Sequence, residues 1–416
     1  MKLFASSDEE RLLTNSPIDP TRRLFVGTLA LGLGGIVAGR GAAAQEAIPA
    51  TPVGRPEPEL ESPPPEPLAS RLGWAVAGLG DFAQGYVIPK GLGGARRAKL
   101  TGLVSGNRDK ALKVAARQGV PEGSIYDYAM TGLADDASID IVYVVTPNST
   151  HQELAIRALE AGKHVMCEKP MANSSRECQR MIDAAKAADR RLMVAYRAHF
   201  EPSNVRVKEM IDAGEIGPIT FASSDHHRPL DLSLPRDQWR AKRTIAGGGS
   251  LVDIGIYSLN GLIWFLGETP SRVCATLHSP PDDPRFAEVE DLMTAQLVFP
   301  SGARANISSS YSSNTKRIDL FGAKAVAKLD PATSYSGNRL TVSTPEANEQ
   351  VVTKEPSEVQ FSNEIDHLCE AISTGSAIRT PGEMGLRDVH IIHALYRSAA
   401  EGRWIDLNEN GSAKDG

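Results

Sequence analysis

The sequence predicts two domains of different class: an α/β domain with a parallel, doubly wound sheet, then an α+β domain with a large open, mostly antiparallel sheet. Three observations carry that prediction. Apolar strand-like runs alternate with helical stretches between residues 73 and 198, a pattern that gives parallel strands with helices on both faces. The turn Gly78-Leu79-Gly80-Asp81-Phe82-Ala83 directly follows the first of those runs. Beyond about Phe200, strand candidates succeed one another without helices between them, which implies antiparallel pairing.

Taken in order, the first strand is Trp74-Ala75-Val76-Ala77, short and apolar enough to be buried on both sides. Leu100–Val104, Ile139–Val145, His164–Cys167 and Arg191–Ala195 follow it. Helical stretches at Lys110–Gln118, His151–Ala161 and Ser174–Ala188 lie between them, and in the second of these Leu154, Ala155, Ala158 and Leu159 share one face. In the second domain, helices are expected at Ser203–Ala213 and Ile254–Phe265, on either side of the Gly247-Gly248-Gly249 turn. Strands are expected at Ile219–Ser224, Arg272–His278, Leu292–Phe299, Ala303–Tyr311, Arg317–Phe321, Ala325–Leu329 and Leu340–Ser343. Helices at Glu364–Ile372 and Arg387–Ala400 close the chain. The domains therefore divide as residues 73–198 and 199–416, with the C-terminal helix free to pack back on the first.

Two segments precede them. Residues 1–44 hold Thr21-Arg22-Arg23-Leu24-Phe25-Val26, a Gly-rich, mildly apolar stretch to Gly39, and Ala42-Ala43-Ala44 before Gln45. A charged start, a short apolar region and an A-x-A site describe a secretory signal. The adjacent arginines point to the twin-arginine route, which carries folded proteins to the periplasm and makes that export machinery a partner. Residues 45–72 are rich in proline and glutamate, with Pro49, Pro52, Pro56, Pro58, Pro63, Pro64, Pro65 and Pro67. Such a stretch is extended and polyproline-like. It reads either as a linker or as an arm along a neighbouring subunit.

Composition excludes several classes. Of 416 residues, 41% are hydrophobic and 23% charged, as in an ordinary globular protein. A net charge of −6 leaves no basic surplus for nucleic acid. The cysteines, Cys167, Cys178, Cys274 and Cys369, have no C-x-x-C spacing, which argues against a zinc or disulfide framework. No apolar run reaches the roughly 18 residues of a membrane span, so no stable membrane anchor is expected.

The glycine turn has the G-x-G-x-x-A form of the dinucleotide fingerprint. Gly78 permits the tight turn, Gly80 lets the backbone approach a pyrophosphate, and the small third residue lets helix meet sheet. Leu79, Asp81 and Phe82 belong to the same turn, and the helix that follows directs its N-terminus at the phosphates. An NAD site usually has a carboxylate at the end of the second strand, for the ribose 2′-hydroxyl. Here that residue is Ser105, with Arg108 and Lys110 just beyond, which favours the 2′-phosphate of NADP. Ligands of a doubly wound sheet sit at the carboxyl ends of its strands. There the chain carries Thr146-Pro147-Asn148, His151 and Glu168-Lys169-Pro170. Lys169, extended before a proline, should point its ammonium into the crevice. Asp253 and Tyr257 are spaced i, i+4 and share a face if that segment is helical.

Together, G-x-G-x-x-A, V-T-P-N-x-x-H (Val145–His151), C-E-K-P (Cys167–Pro170) and G-G-G-x-L-x-D-I-G-I-Y (Gly247–Tyr257) resemble the Gfo/Idh/MocA oxidoreductase family, from about Gly73 to the C-terminus. Ile125–Tyr128, Gln238–Arg240 and Asp330–Thr333 are also similar. Tyr257 stands where many members have histidine. With the export signal and the Pro-rich arm, it is similar to the glucose–fructose branch. The resemblance implies a Rossmann domain, an open sheet used in a homodimer or homotetramer, and NADP held too tightly to leave during turnover. It implies a ping-pong cycle: an aldose such as glucose is oxidised at C1 to the lactone, and the hydride passes to fructose or another aldose. Lys169 and Tyr257 would act on the sugar hydroxyl. Ser105, Lys110, Tyr128, Pro147, Asn148, His151, Glu168, Arg197, Trp239 and Arg240 match positions that resemble cofactor contacts, with Tyr335 as a further one. His226–Arg236 departs from the family pattern, where sugar specificity could be set. No third ligand with recognisable spacing joins His226-His227, so no metal is expected.

The chemistry has its own logic. Oxidation at C1 needs a hydride acceptor and a base for the hydroxyl proton. A free tyrosine, pKa near 10, is a poor base at neutral pH. A nearby ammonium lowers that value, which pairs Lys169 with Tyr257 as the acid–base group and leaves Asp253 to orient the sugar or the lysine. An exported dehydrogenase that released NADP would stop after one turnover, so its cofactor must be regenerated in place. Two alternatives stay open: an exported NAD-dependent glycosidase of the same superfamily, against which Ser105 and Lys110 speak, and a dinucleotide-binding protein without catalysis, against which Lys169, Asp253 and Tyr257 speak.

Overall fold

The computed structural model describes residues 65–353 and 355–414; the segment expected to be an export signal and most of the Pro-rich segment lie outside them. What is described of that segment, residues 65–71, runs beside Arg96–Lys99: Glu66 donates its N–H to the Arg96 carbonyl and pairs its carboxylate with Arg97.

The first sheet comprises β1 (Leu72–Ala77), β2 (Ala98–Val104), β3 (Ile125–Tyr126), β4 (Ile141–Val144), β5 (His164–Glu168) and β6 (Leu192–Ala195). Their order is β3-β2-β1-β4-β5-β6, and every pair is parallel. The order reverses at β1, which opens a crevice beyond the carboxyl ends of β1 and β4. Both faces are covered, so the strands read as continuous apolar runs. Trp74, Val76, Ile141 and Tyr143 pack on one side with Ile365, Leu368 and Cys369 of the helix Gln360–Thr374. Ala75, Val142 and Val165 pack on the other with the helices His151–Glu160, Ser175–Ala187 and Gly382–Glu401. Both C-terminal helices thus return to the first sheet. The short β3 was not anticipated. The helix after the glycine turn, Ala83–Leu92, is wound wider than an α-helix: the Gly93 N–H reaches back to the Ile88 carbonyl, and Pro89, which has no N–H to give, lies inside it.

The second sheet contains β7 (Ile219–His227), β8 (Arg272–His278), β9 (Leu292–Val298), β10 (Arg304–Ser310), β11 (Thr315–Gly322), β12 (Val326–Leu329), β13 (Leu340–Ser343), β14 (Asn348–Val351) and β15 (Ile405–Asp406), in the order β14-β13-β12-β11-β7-β10-β9-β8-β15. It is mostly antiparallel, with one exception: β7 inserts between β10 and β11 and runs parallel to β10. The sequence, which shows strands without crossovers, gave no sign of that insertion. One face, including Ala222, Ser224, His226, Ile307 and Leu320, is buried. Beneath it lies the helix Ile256–Leu266, almost wholly interior, as expected of a helix apolar all round. The run Arg243–Leu266 has 24 residues and a mean hydropathy of 1.3, enough to cross a membrane by length and composition, but 78% of its apolar window is buried in the fold. All four cysteines are free thiols, and Cys167, Cys178 and Cys369 are buried.

Candidate active site

At the carboxyl end of β1, Gly78 has φ +100° and gives its N–H to the Val104 carbonyl, 2.9 Å away. A Cβ there would lie 2.5 Å from the Val145 carbonyl oxygen, so only glycine makes the turn. Gly80, at the tip, is the opposite case: a Cβ would meet nothing within 4 Å, which leaves room for a pyrophosphate. The turn fits a dinucleotide on this ground. Leu79 is buried and anchors the turn, whereas Asp81 is exposed. Phe82 stacks on Tyr86, and both rings meet Tyr335 and Phe361 at centroid distances of 4.4 to 6.1 Å.

At the end of β2, the Ser105 hydroxyl accepts the Asn107 N–H at 3.1 Å and donates to the Asn107 carbonyl at 3.2 Å. Asn107 in turn caps the helix Arg108–Gln118 by accepting the Lys110 N–H. Arg108 pairs with Glu122 at 2.9 Å on the surface, and Lys110 is exposed in the first helical turn. The Tyr128 ring lies over Gly106, whose Cβ would sit 3.0 Å from it. Ser105→Asp should preserve the turn, because an Asp side chain accepts the same i+2 N–H, while placing a carboxylate where a 2′-phosphate would lie. NADP retention, measured by dialysis of the purified protein, should weaken by about 1–3 kcal/mol; unchanged retention would mean that this strand end does not read the phosphate.

Lys169, Asp253 and Tyr257 meet at the other end of the crevice. The Lys169 ammonium donates to the Asp253 backbone carbonyl at 2.5 Å, lies 3.8 Å from its carboxylate, and sits 4.8 Å from the Tyr257 ring centre. Asp253 and Tyr257 are not on one regular α-helix. Leu251–Gly255 is a wide turn that runs into Ile256–Leu266, and it turns the Asp253 carbonyl towards Lys169. Glu290 holds the start of this turn: its carboxylate accepts the N–H groups of Gly249 and Leu251 and the Tyr396 hydroxyl. A Cβ on Gly249 would be 2.1 Å from the Glu290 carbonyl oxygen, which explains a glycine there.

The electrostatics sharpen the roles. Burial alone would raise the Asp253 pKa, but Arg240, Lys169, Arg228 and the Tyr311 hydroxyl outweigh it and hold the carboxyl well below the usual range. Arg240 Nε and the Tyr311 hydroxyl both donate to it at 3.0 Å. Burial pushes the Lys169 ammonium down, against the pull of Asp253 and Glu168. The expectation that Lys169 lowers the Tyr257 pKa is corrected. The ammonium lies over the ring and gives its hydrogen bond to Asp253, and burial pushes the phenol up to about 12, opposed chiefly by Arg197.

Several residues expected as cofactor contacts also make bonds within the protein. His151 is fully buried, with its ring nitrogens 2.9 and 2.8 Å from the carbonyls of Pro170 and Thr146. It ties the turns after β4 and β5 together. Asn148, next to the half-buried Pro147, spends its amide on the Ala246 carbonyl. Glu168 accepts the Tyr143 hydroxyl at 2.6 Å, and burial raises its pKa. Arg240 is held by Asp253, with Trp239 lying against its guanidinium at 4.5 Å. Arg197 is buried between the Tyr257 and Tyr335 rings, 4.8 and 4.5 Å from their centres.

Sequence reasoning missed several residues here. His226 stacks on Tyr257 at 4.8 Å. Arg228 grips Asp237 with two hydrogen bonds. Tyr311 holds Asp253, and Lys316 approaches Tyr335. The departure of His226–Arg236 from the family pattern was the one available signal.

Comparisons with known proteins agree with this architecture. The family model described as an oxidoreductase family with an NAD-binding Rossmann fold matches residues 72–196, and that of the family's C-terminal alpha/beta domain matches 208–407. D-xylose 1-dehydrogenase (NADP(+)) of Haloarcula marismortui is 33% identical over 303 residues, 72% of this chain and 83% of its own. Inositol 2-dehydrogenase of Rhizobium meliloti is 29% identical over 345 residues, 79% of this chain and 98% of its own. The solved structure of aldose-aldose oxidoreductase from Caulobacter crescentus, complexed with glycerol, superposes with a TM-score of 0.78 at 41% identity, over 81% of this chain and 100% of that one. With both domain models matched in order along most of its length, the chain belongs to the Gfo/Idh/MocA oxidoreductase family.

Proposed function

We propose that this protein is an exported sugar–sugar oxidoreductase that keeps its NADP between turnovers. It oxidises an aldose such as glucose at C1 to the lactone and reduces a second sugar, fructose or another aldose, in the same site. NADP, when bound, supplies the acceptor that takes the hydride from the first sugar and yields it to the second. The observation that carries this reading is the meeting of Lys169, Asp253 and Tyr257 in the crevice that begins at the glycine turn. The ionised Asp253 offers a fixed acceptor to sugar hydroxyls. Lys169 stiffens the wide turn and presents its remaining protons to the substrate oxygen. Tyr257 moves a proton at its phenol oxygen.

NADP rather than NAD is supported by Ser105 and Lys110 in place of a carboxylate, and by the NADP(+) relative. Tight retention is supported by Tyr335 and Phe361, which come from the second half of the chain and rest on Phe82 and Tyr86 beside the glycine turn. The twin-arginine segment supports periplasmic export. The uncovered face of the second sheet, where His227, Ser308, Asp225 and Arg317 are hydrogen-bonded to one another, supports a homo-oligomer. The test is to give the purified protein glucose and fructose with no nicotinamide supplied. Lactone and sorbitol should form in equal amounts over many turnovers; products that appear only when NADP is added would overturn the closed cycle.

A further inference from the structure

One cation in the crevice has no role in the reaction so far. Lys316 lies on β11 opposite His226 on β7. Cross-strand neighbours share a face, so Lys316 emerges on the side where His226 stacks on Tyr257. Its ammonium is 5.9 Å from the centre of the Tyr335 ring, which Arg197 also approaches.

Three of the other cations have carboxylate partners. Arg228 binds Asp237 bidentately, Arg240 binds Asp253, and Lys169 shares Asp253. Arg197 donates to Gln360 and the Thr333 carbonyl but leaves its buried Nε without a partner among the described residues, and the nearby Glu364 is pushed towards its neutral form by burial. Lys316 makes no ion pair or side-chain hydrogen bond among the described residues. Burial first, then the positive charges of Arg197 and Arg228, push the ammonium down to about 8. A half-buried cation that shares one ring with a guanidinium and has no carboxylate partner is unfavourable until an anion joins it.

We propose that the substrate pocket recognises a sugar acid, a monosaccharide whose carboxylate is bound by Lys316. This rests on the sugar-oxidoreductase reading and names its substrate class. A carboxylate gains a charge-assisted hydrogen bond that a neutral hydroxymethyl group cannot match. A monoanion suits the site better than a phosphate dianion, because Arg228 is already bidentate on Asp237 and Arg197 has given two donors to Gln360 and Thr333. The carboxylate is a spectator. The C1–H bond breaks as hydride to the nicotinamide, the C1 hydroxyl loses its proton to the protein, and the lactone forms.

The experiment uses two sugar pairs, glucose with glucuronate and galactose with galacturonate, whose members differ only at C6. Reduction of the enzyme-bound cofactor gives kcat/KM for each, and calorimetric titration with glucuronate reads binding independently of turnover. The acid should exceed its neutral counterpart at least tenfold. Lys316→Met should cut that ratio at least tenfold, and Lys316→Arg should keep most of it. A wild-type preference for the neutral sugar, a ratio unchanged by Lys316→Met, or a stronger response to glucose 6-phosphate would overturn the carboxylate assignment. If no sugar reduces the cofactor while Lys316→Met still abolishes glucuronate binding, the anion site stands and the oxidoreductase reading falls.

Discussion

Tyr257→Phe should lower turnover by about 10²–10⁴, the range typical of a lost general acid–base group. The substitution removes one oxygen from a ring that stays packed between His226, Lys169 and Arg197, so fold and bound cofactor should persist. Both half-reactions should suffer, because the group that takes the proton of the first sugar must return one to the second. The pKa supplies a sharper signature. With the phenol held up at about 12, only a small phenolate fraction exists at neutral pH, and it grows roughly tenfold per pH unit towards that value. Oxidation of the first sugar by wild type should therefore accelerate as pH rises above neutral, and Tyr257→Phe should flatten the slope. A variant that oxidises glucose at the wild-type rate would pass the role to Lys169 or Asp253.

Lys169→Met should cost at least the roughly 10²–10³ that follows loss of one positioned donor in a preorganised site. Asp253 does not lose its charge compensation with the lysine, since Arg240, Arg228 and Tyr311 remain on its carboxylate. Thermal stability should change little and the loss should fall in kcat. Steady-state kinetics beside a melting curve separate the two. A collapse of stability with normal residual kcat would make Lys169 a brace rather than a catalytic group.

The first domain was legible because each strand–helix unit carries its own pattern within about thirty residues. β1, β2, β4, β5 and β6 all fall where apolar runs sit between helical stretches. What escaped depended on distant parts. β3 is two residues long, and β15 gains its place only by pairing with β8. The parallel pairing of β7 with β10 is a property of the sheet rather than of either strand. The site divides the same way. Gly78 and Gly80 announce themselves by spacing, and Lys169, Asp253 and Tyr257 by their places in motifs that resemble the family's. The surroundings of Asp253 do not, because Arg228, Arg240 and Tyr311 come from separate segments that only the folded sheet brings to one carboxylate. The partners of His151 were hidden for a related reason: only the folded chain brings both ring nitrogens to the carbonyls of Thr146 and Pro170.

The central claim is that the cofactor stays in its site while two sugars exchange a hydride. The most direct test is the absorption spectrum of the purified protein, never supplied with nucleotide, as glucose and then fructose are added. The account predicts a reduced-nicotinamide band that rises with glucose in proportion to protein concentration and disappears with fructose. A nucleotide-free preparation, active only when NADP is supplied in excess, would contradict it.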